Sequence, residues 1–201
     1  LVDVDRERLA AAHGAEHERV LFAPADLRDA AQAAGVAQAA LARFARLDVL
    51  ANVAGGFRMG EAVHETSDAT WNLLFDLNAR TMLNMCRAVV PAMLAAGGGA
   101  VVNVGAHGAL RGGALMGAYA ASKSAVIRLT ESMAAELRER GVRVNCVLPT
   151  TLDTPDNRAA MPDADPTRWV APDALAEVIG FLASDAARAV HGAAVPVTGL
   201  V

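Results

Sequence analysis

The chain has one tyrosine, Tyr119, and one lysine, Lys123, and they stand four positions apart. Lysine and arginine number 18 together, so the chain has seventeen arginines and this single lysine. Side chains four apart on a helix share a face, so the phenol and the ammonium would lie side by side. A neighbouring positive charge favours the phenolate, whose phenol ordinarily has a pKa of about 10. The pair therefore predicts proton transfer by Tyr119, and a core tyrosine beside a snorkelling lysine is the structural alternative.

The composition is that of a globular protein. The 201 residues are 54% apolar and 20% charged, with a formal net charge of −4, which predicts one domain with a sizeable core. An acidic chain without a basic cluster is not expected to bind nucleic acid or an anionic membrane. The uncharged run 88–110 contains Pro91 and three consecutive glycines, so no membrane span is predicted.

Cysteine and histidine usage indicates neither a disulfide framework nor a metal site. Cys86 and Cys146 lie in apolar surroundings without a CxxC pair, which predicts reduced core residues of a cytoplasmic protein. The histidines show no metal-ligand spacing, so no metal is expected.

Apolar runs alternate with amphipathic stretches along the whole chain. The runs predict strands at residues 1–4, 19–23, 47–53, 99–105, 142–148 and 193–197, and the stretches predict helices at 5–12, 29–46, 66–96, 115–140 and 172–184. Asp5 is expected to cap the first helix, and Gly141 to end the helix that contains Tyr119. Strands apolar on both faces and separated by helices predict an α/β fold with a doubly wound parallel sheet and helices on both faces. Ligands of such folds bind beyond the carboxyl ends of the strands.

We find no linker, so residues 1–201 are expected to form a single dinucleotide-binding domain. Residues 150–171 lack clear periodicity and contain three prolines, which predicts a loop over the substrate with at most short helical turns. A dinucleotide fold begins with a strand, a glycine-rich turn and a helix, and that unit is missing from this sequence. We therefore expect a first strand and glycine-rich turn upstream of Leu1, in roughly 25–40 further residues of the gene.

The order of these parts resembles the short-chain dehydrogenase/reductase family from its second strand onward. The resemblance rests on residues in the family's order: Asp3, Ala25-Asp26-Leu27, Asn52-Val53-Ala54-Gly55, Asn78, Tyr119-Ala120-Ala121-Ser122-Lys123, Pro149-Thr150 and Thr154. It implies hydride transfer with a nicotinamide cofactor, catalysis by Tyr119, Lys123 and Asn78, and subunit contacts through the two longest helices in a homodimer or homotetramer.

The resemblance also implies where the dinucleotide binds. The residues implied to contact it are Asp3, Asp26, Leu27, Asn52, Ala54, Gly55, Tyr119, Lys123, Pro149 and Thr154. Asp3 would accept the adenosine ribose hydroxyls and repel a 2′-phosphate, and Val4 offers that phosphate no cation, so NAD(H) is expected over NADP(H). Structural alternatives are a helix cap for Asp3, a solvated helix residue for Asn78 and a loop cap for Thr154.

One catalytic position departs from the family. The family's serine lies thirteen residues before the tyrosine, where this chain has Ala106. His107 is adjacent and is either a direct participant or a loop residue, and Trp169 is either a substrate platform or a packing anchor. Dihydropteridine reductase lacks the same serine, and this chain is similar to it at residues 53–57, 105–110, 116–119, 148–158 and 161–165 and at Trp169. Asn78, by contrast, follows the pattern of the other dehydrogenases.

These observations leave three hypotheses. The first is an NAD(H)-dependent oxidoreductase that acts on a small conjugated C=N or C=O substrate, with quinonoid dihydropterin as the specific candidate. The second is an alcohol, ketone or 3-oxoacyl reductase of the same family. The third is a catalytically silent member that binds the cofactor or acts in an assembly.

Overall fold

A four-stranded parallel sheet lies at the centre of the computed structural model, which describes residues 1–200. Its strands, in spatial and chain order, are β1 Val49–Asn52, β2 Gly99–Val104, β3 Val142–Pro149 and β4 Ala194–Val197. In the register of the sheet Val101 of β2 lies beside Leu50 of β1 and Val144 of β3. The predicted α/β class with a parallel sheet is confirmed.

Helices cover both faces of this sheet, as predicted. They are α1 Arg6–His13, α2 Ala30–Phe44, α3 Asp68–Phe75, α4 Thr81–Ala95, α5 Gly117–Leu137, α6 Pro155–Ala160 and α7 Pro172–Ala183. Val101 and Val144 pack in one core cluster with residues of α2, α4 and α5, whereas Val102 and Val147 pack with α7. Neighbouring strand residues therefore face opposite cores, which is why β2 and β3 are apolar at most positions.

Residues 1–4 and 19–23 are the predicted strands that the structure does not contain. The two segments pair with each other, with the amide of Ala23 donating to the carbonyl of Leu1 (3.0 Å) and that of Ala25 to the carbonyl of Asp3 (2.9 Å). The pairing stops there, because α1 begins directly after Asp5 and the amide of Asp29 closes a turn onto the carbonyl of Asp26. Asp5 caps α1 by accepting from the amide of Glu7, as expected.

The predicted helix 66–96 is divided in two. Ser67 caps α3, and a π-helical turn at Asp76–Arg80 separates α3 from α4. A π turn inserts one extra residue into the helical path, which periodicity in sequence does not reveal. This turn buries Asn78, which is 2% exposed.

The helix predicted over 115–140 is shorter at both ends. Leu115 has a φ of 61°, so α5 begins at Gly117, and a 3-10 turn at Arg138–Arg140 follows its last residue, Leu137. Gly141 ends the turn with a φ of 75°, so the predicted glycine stop is confirmed.

Residues 150–171 leave the carboxyl end of β3 and return to α7. Leu152 and Val170 form a bridge at the base of the segment, which contains only the six-residue α6 and a 3-10 turn at Pro166–Arg168. None of the helices in residues 1–200 is long and apolar enough to span a membrane.

Candidate active site

Helix α5 brings the unique tyrosine and lysine to the carboxyl ends of the strands. The Lys123 ammonium donates to the backbone carbonyl of Val104, the last residue of β2, at 2.9 Å. The Lys123 side chain is 5% exposed, and burial lowers its pKa to about 8. Lys123 therefore remains mostly a cation at neutral pH, with two of its three N–H donors making no hydrogen bond within residues 1–200.

The Tyr119 phenol is protonated at neutral pH. Burial raises its pKa above the ordinary value, so the lowering expected from Lys123 is wrong in direction for this structure. Lys123 donates its hydrogen bond to Val104 and makes none to the phenol. A protonated, half-buried phenol is suited to donate a proton to a substrate.

Gly55 lies directly over the buried ammonium. A Cβ at this position would lie 2.8 Å from Oδ1 of Asn78 and 3.0 Å from Nζ of Lys123, so any side chain would displace one of them. Gly55 itself is exposed. The absence of a side chain at Gly55 therefore lets the loop pack closely on Asn78 and Lys123. The free donors of Lys123 suit ribose hydroxyl groups.

Asn78 joins the 54–56 loop to α5. Its Oδ1 accepts from the amide of Gly56 (2.8 Å), and its Nδ2 donates to the carbonyl of Gly56 (3.0 Å) and to Oγ of Ser122 (3.0 Å). Ser122 in turn donates to the carbonyl of Tyr119 at 2.8 Å. Sequence reasoning missed this link between Asn78 and the Tyr119 turn of α5.

A buried polar chain lies beneath the same loop. Nδ2 of Asn52 donates to Oδ1 of Asn103 (2.9 Å), and Nδ2 of Asn103 donates to Oγ1 of Thr130 in α5 (2.9 Å). Asn52 ends β1, so this row of hydrogen bonds fixes the point at which Ala54 and Gly55 leave the sheet. Ala54 itself is exposed.

The position of the missing serine carries only a methyl group. Ala106 is 4% exposed and follows β2, and His107 is exposed at the start of a 3-10 turn. The His107 side chain makes no hydrogen bond within the described residues. The ring of Phe57, which sequence reasoning also missed, meets the ring of Tyr119 edge-on at 4.8 Å between centroids.

Asp3 and Asp26 lie at the ends of the two paired N-terminal segments. The carboxylate of Asp3 accepts from the amide of Asp5 at 3.0 Å. Asp26 forms an ion pair with Arg28 at 2.6 Å. The hydrogen bonds that the side chain and the backbone amide of Arg28 donate to the Asp26 carboxylate lower its pKa to about 2. The carbonyl of Leu27 accepts from Nδ2 of Asn84 (2.9 Å), a residue that was not singled out from sequence although it interrupts an apolar helix.

The remaining candidates lie after β3. Pro149 is the buried last residue of β3, and Thr154 caps α6 by accepting from the amide of Asn157 (3.2 Å). Trp169 is half-buried and contacts no other aromatic ring in the described part of the chain, so the structure does not place it against Tyr119. No group of three potential metal ligands occurs in residues 1–200.

The sequence matches a known family. The family profile described as short chain dehydrogenase matches residues 1–165. The chain belongs to the short-chain dehydrogenase/reductase family, as its motifs predicted. It is thereby an oxidoreductase of the NAD(P)-dependent type.

Three similar proteins illustrate the range of this family. D-threitol dehydrogenase from Mycolicibacterium smegmatis is 38% identical over 202 residues, which cover 96% of this chain and 77% of the relative. The structure of carveol dehydrogenase from Mycobacterium avium in complex with NAD is 29% identical, with a TM-score of 0.83 over 90% of this chain and 74% of that one. A gluconate 5-dehydrogenase from Burkholderia cenocepacia in complex with NADP and tartrate is 28% identical, with a TM-score of 0.86 over 98% and 82%.

Proposed function

We propose that the protein uses NADH to reduce a small conjugated C=N or C=O substrate, with quinonoid dihydropterin as the specific candidate. The observation that carries the proposal is the protonated phenol of Tyr119 on one helix face with a buried ammonium, together with Ala106, which offers only a methyl group where the family has a serine. The nicotinamide supplies the hydride when it is bound. The rest of the chemistry is proton transfer and orientation by the protein.

We assign the roles as follows. Tyr119 donates the proton, Lys123 holds the nicotinamide ribose, and Asn78 keeps the 54–56 loop against α5. The groups proposed to contact the dinucleotide are Asp3 at the adenosine ribose, Asp26 and Leu27 at the adenine, Asn52, Ala54 and Gly55 beneath the nicotinamide half, and Pro149 and Thr154 at the carboxamide. Residues 150–171, with Trp169, form the substrate loop of a single domain, and Ala106 and His107 lie beside the substrate.

Ala106 favours a conjugated substrate. Reduction of a simple ketone builds negative charge on one oxygen, and loss of one hydrogen-bond donor to that charge commonly costs about 10²–10³-fold in rate. A quinonoid dihydropterin spreads the charge over its ring and requires protonation at nitrogen. The test is NADH oxidation by the full-length protein with quinonoid dihydropterin, a panel of ketones and an oxoacyl thioester. Efficient reduction of the ketones or the oxoacyl thioester with no reduction of the pterin would reject the pterin as the substrate. The assignment as an NADH-dependent reductase would still hold.

We expect Ala106→Ser to raise activity on ketones relative to activity on the pterin. The new hydroxyl would stand where the family's serine stands and would donate to the carbonyl oxygen. The measurement is the ratio of kcat/KM for a ketone to that for the pterin, in the variant and the parent. Ser124→Ala is a control for an altered hydroxyl nearby, because Ser124 donates only to the carbonyl of Ala109. An unchanged ratio would show that position 106 does not face the reacting atom.

The oxidation of an alcohol is the second candidate, and it is favoured by the similarity to D-threitol dehydrogenase. A polyol panel with NAD⁺ tests it directly. A catalytically silent protein is the third, and it predicts NADH binding without turnover on any of these substrates. The buried ammonium of Lys123 argues against silence, because it has no ion-pair partner within residues 1–200 and the burial of such a cation costs stability.

NADH is expected to bind at least ~10-fold more tightly than NADPH, because Asp3 would face the added phosphate. Asp3→Asn should reduce the difference between the two affinities, since the Asn side chain still accepts the hydrogen bond from the amide of Asp5 but carries no charge. Fluorescence titration with both nucleotides measures it. Asp48→Asn is the matched control, as Asp48 pairs with Arg46 at the amino end of the sheet. Equal affinities for the two cofactors in the parent would place Asp3 away from the ribose.

We also propose a homodimer or homotetramer in the cytoplasm. Trp71 of α3 is 45% exposed, and its ring stacks on that of Phe75 at 4.4 Å between centroids. Helix α3 lies in the segment 66–96, which was predicted as one of the two long helices at the subunit interface, and the exposed ring gives it an apolar surface. The buried free thiols of Cys86 and Cys146 suit a reducing compartment. A single species of 20.7 kDa in light scattering would contradict the oligomer.

A further inference from the structure

Asn84 is a buried amide that binds a distant loop. It is 5% exposed in the apolar helix α4, and its Nδ2 donates to the carbonyls of Leu27 (2.9 Å) and Arg28 (3.1 Å). An amide buried in an apolar helix lowers stability unless it is hydrogen-bonded. Both of these bonds go to one loop, more than fifty positions away in the chain.

Residues 26–28 make few other hydrogen bonds to distant parts of the protein, although Leu27 also packs against the core that contains α4. The remaining hydrogen bonds of residues 26–28, within the part of the chain that the structure describes, run to partners at most six positions away. The ion pair between Asp26 and Arg28 is exposed and internal to the loop, so it does not fix the loop to the core. Asn84 therefore supplies the hydrogen bonds that anchor the loop to a helix distant in sequence.

The helical run that carries Asn84 also carries Asn78. Asn78 holds the loop at Gly56, and Asn84, six positions later, holds the loop at Leu27. The π turn at Asp76–Arg80 lies between α3 and α4, so it is part of the path that aims both amides. Both loops are therefore tied to one helical run, and doubly wound proteins bind their ligands at loops that follow their strands.

We propose that Asn84 is a positioning residue for the adenine half of the dinucleotide. It holds residues 26–28 level with Asp3 so that the loop meets the adenine, and it makes no contact with the nicotinamide half. This inference rests on the proposed use of NADH. It adds a separate determinant of affinity at the far end of the cofactor from Tyr119.

Asn84→Asp tests the proposal, because a carboxylate keeps the shape but cannot donate to the two carbonyls. We expect the Kd for NADH to rise about tenfold and the Kd for AMP to rise by a similar factor. The Kd for reduced nicotinamide mononucleotide, which lacks the adenine half, should stay within about twofold. Without any ligand, hydrogen exchange of the amides at 25–29 should accelerate, while that at 54–57 should not change.

Asn145→Asp is the matched control. Asn145 is 1% exposed and donates to the carbonyl of Val190 at 3.0 Å, away from both loops. We expect this variant to lose stability without a change in the three affinities or in exchange at 25–29. If Asn84→Asp does not fold, Asn84→Ser gives the same comparisons with a smaller buried polar group.

The outcomes separate the two proposals. Parallel weakening of all three ligands, or unchanged exchange at 25–29, would overturn the role of Asn84. Failure of the parent protein to bind NADH would overturn the proposed function, and the exchange experiment would still decide whether Asn84 holds the loop.

Discussion

Tyr119→Phe is expected to lower kcat by about 10²-fold or more, with the Kd for NADH unchanged within about twofold. The substitution removes the hydroxyl that donates the proton, while the ring and its edge-on contact with Phe57 stay in place. The turnover number comes from steady-state NADH oxidation, and the affinity from fluorescence titration. A variant as active as the parent would show that another group donates the proton.

The composition of the chain gives this experiment an internal control. Tyr119 is the only tyrosine, so the ultraviolet absorbance of the phenolate reports its ionisation without assignment. We expect a phenol pKa above the free value, because burial raises it. A phenolate at neutral pH would contradict the donor role, since no proton would be available for transfer.

Lys123→Met is expected to abolish most activity and to stabilise the fold. Burial lowers the Lys123 pKa from 10.5 to about 8, which corresponds to a destabilisation on the order of 3 kcal/mol at pH 7. The variant loses the hydrogen bond to Val104, worth about 1 kcal/mol, so the free energy of unfolding should rise by roughly 2 kcal/mol. Affinity for NADH should fall as well, since the proposed bond to the ribose is lost.

The pH dependence separates this effect from general repacking. Below pH 8 the ammonium is charged in both the folded and the unfolded chain, so its burial lowers stability in full. Between pH 8 and 10.5 the unfolded chain holds more protons at this site, so the parent gains stability as the pH rises. The advantage of Lys123→Met in urea unfolding should therefore be larger at pH 7 than at pH 9.5.

Arg143→Met is the matched control for the loss of a cation. Its guanidinium donates to four backbone carbonyls at the end of α7, between 2.7 and 3.2 Å, so this substitution should destabilise the protein. If Lys123→Met also destabilised the protein, the buried ammonium would contribute to stability in the absence of cofactor, and its role would be structural.

Much of the fold follows from local pattern. Apolar runs identified the four strands of the sheet, because strands covered on both faces carry apolar residues at most positions. The cap at Asp5 and the stop at Gly141 could be placed because they depend on the chemistry of one turn. Residues 1–4 and 19–23 have strand composition, but their pairing ends after a few bonds, which depends on neighbours in space.

The sequence by itself determined the family and placed Tyr119 and Lys123 on one helix face, because side chains four apart on a helix are neighbours. Only the tertiary structure decided the state of that pair. The pKa of Tyr119 is raised because the site is buried, and Lys123 donates to Val104 because β2 ends beside α5. The π turn that buries Asn78, and the bonds of Asn84 to a loop more than fifty positions away, likewise depend on contacts between segments distant in sequence. Burial and long-range hydrogen bonds arise when the chain is packed, so no local pattern encodes them.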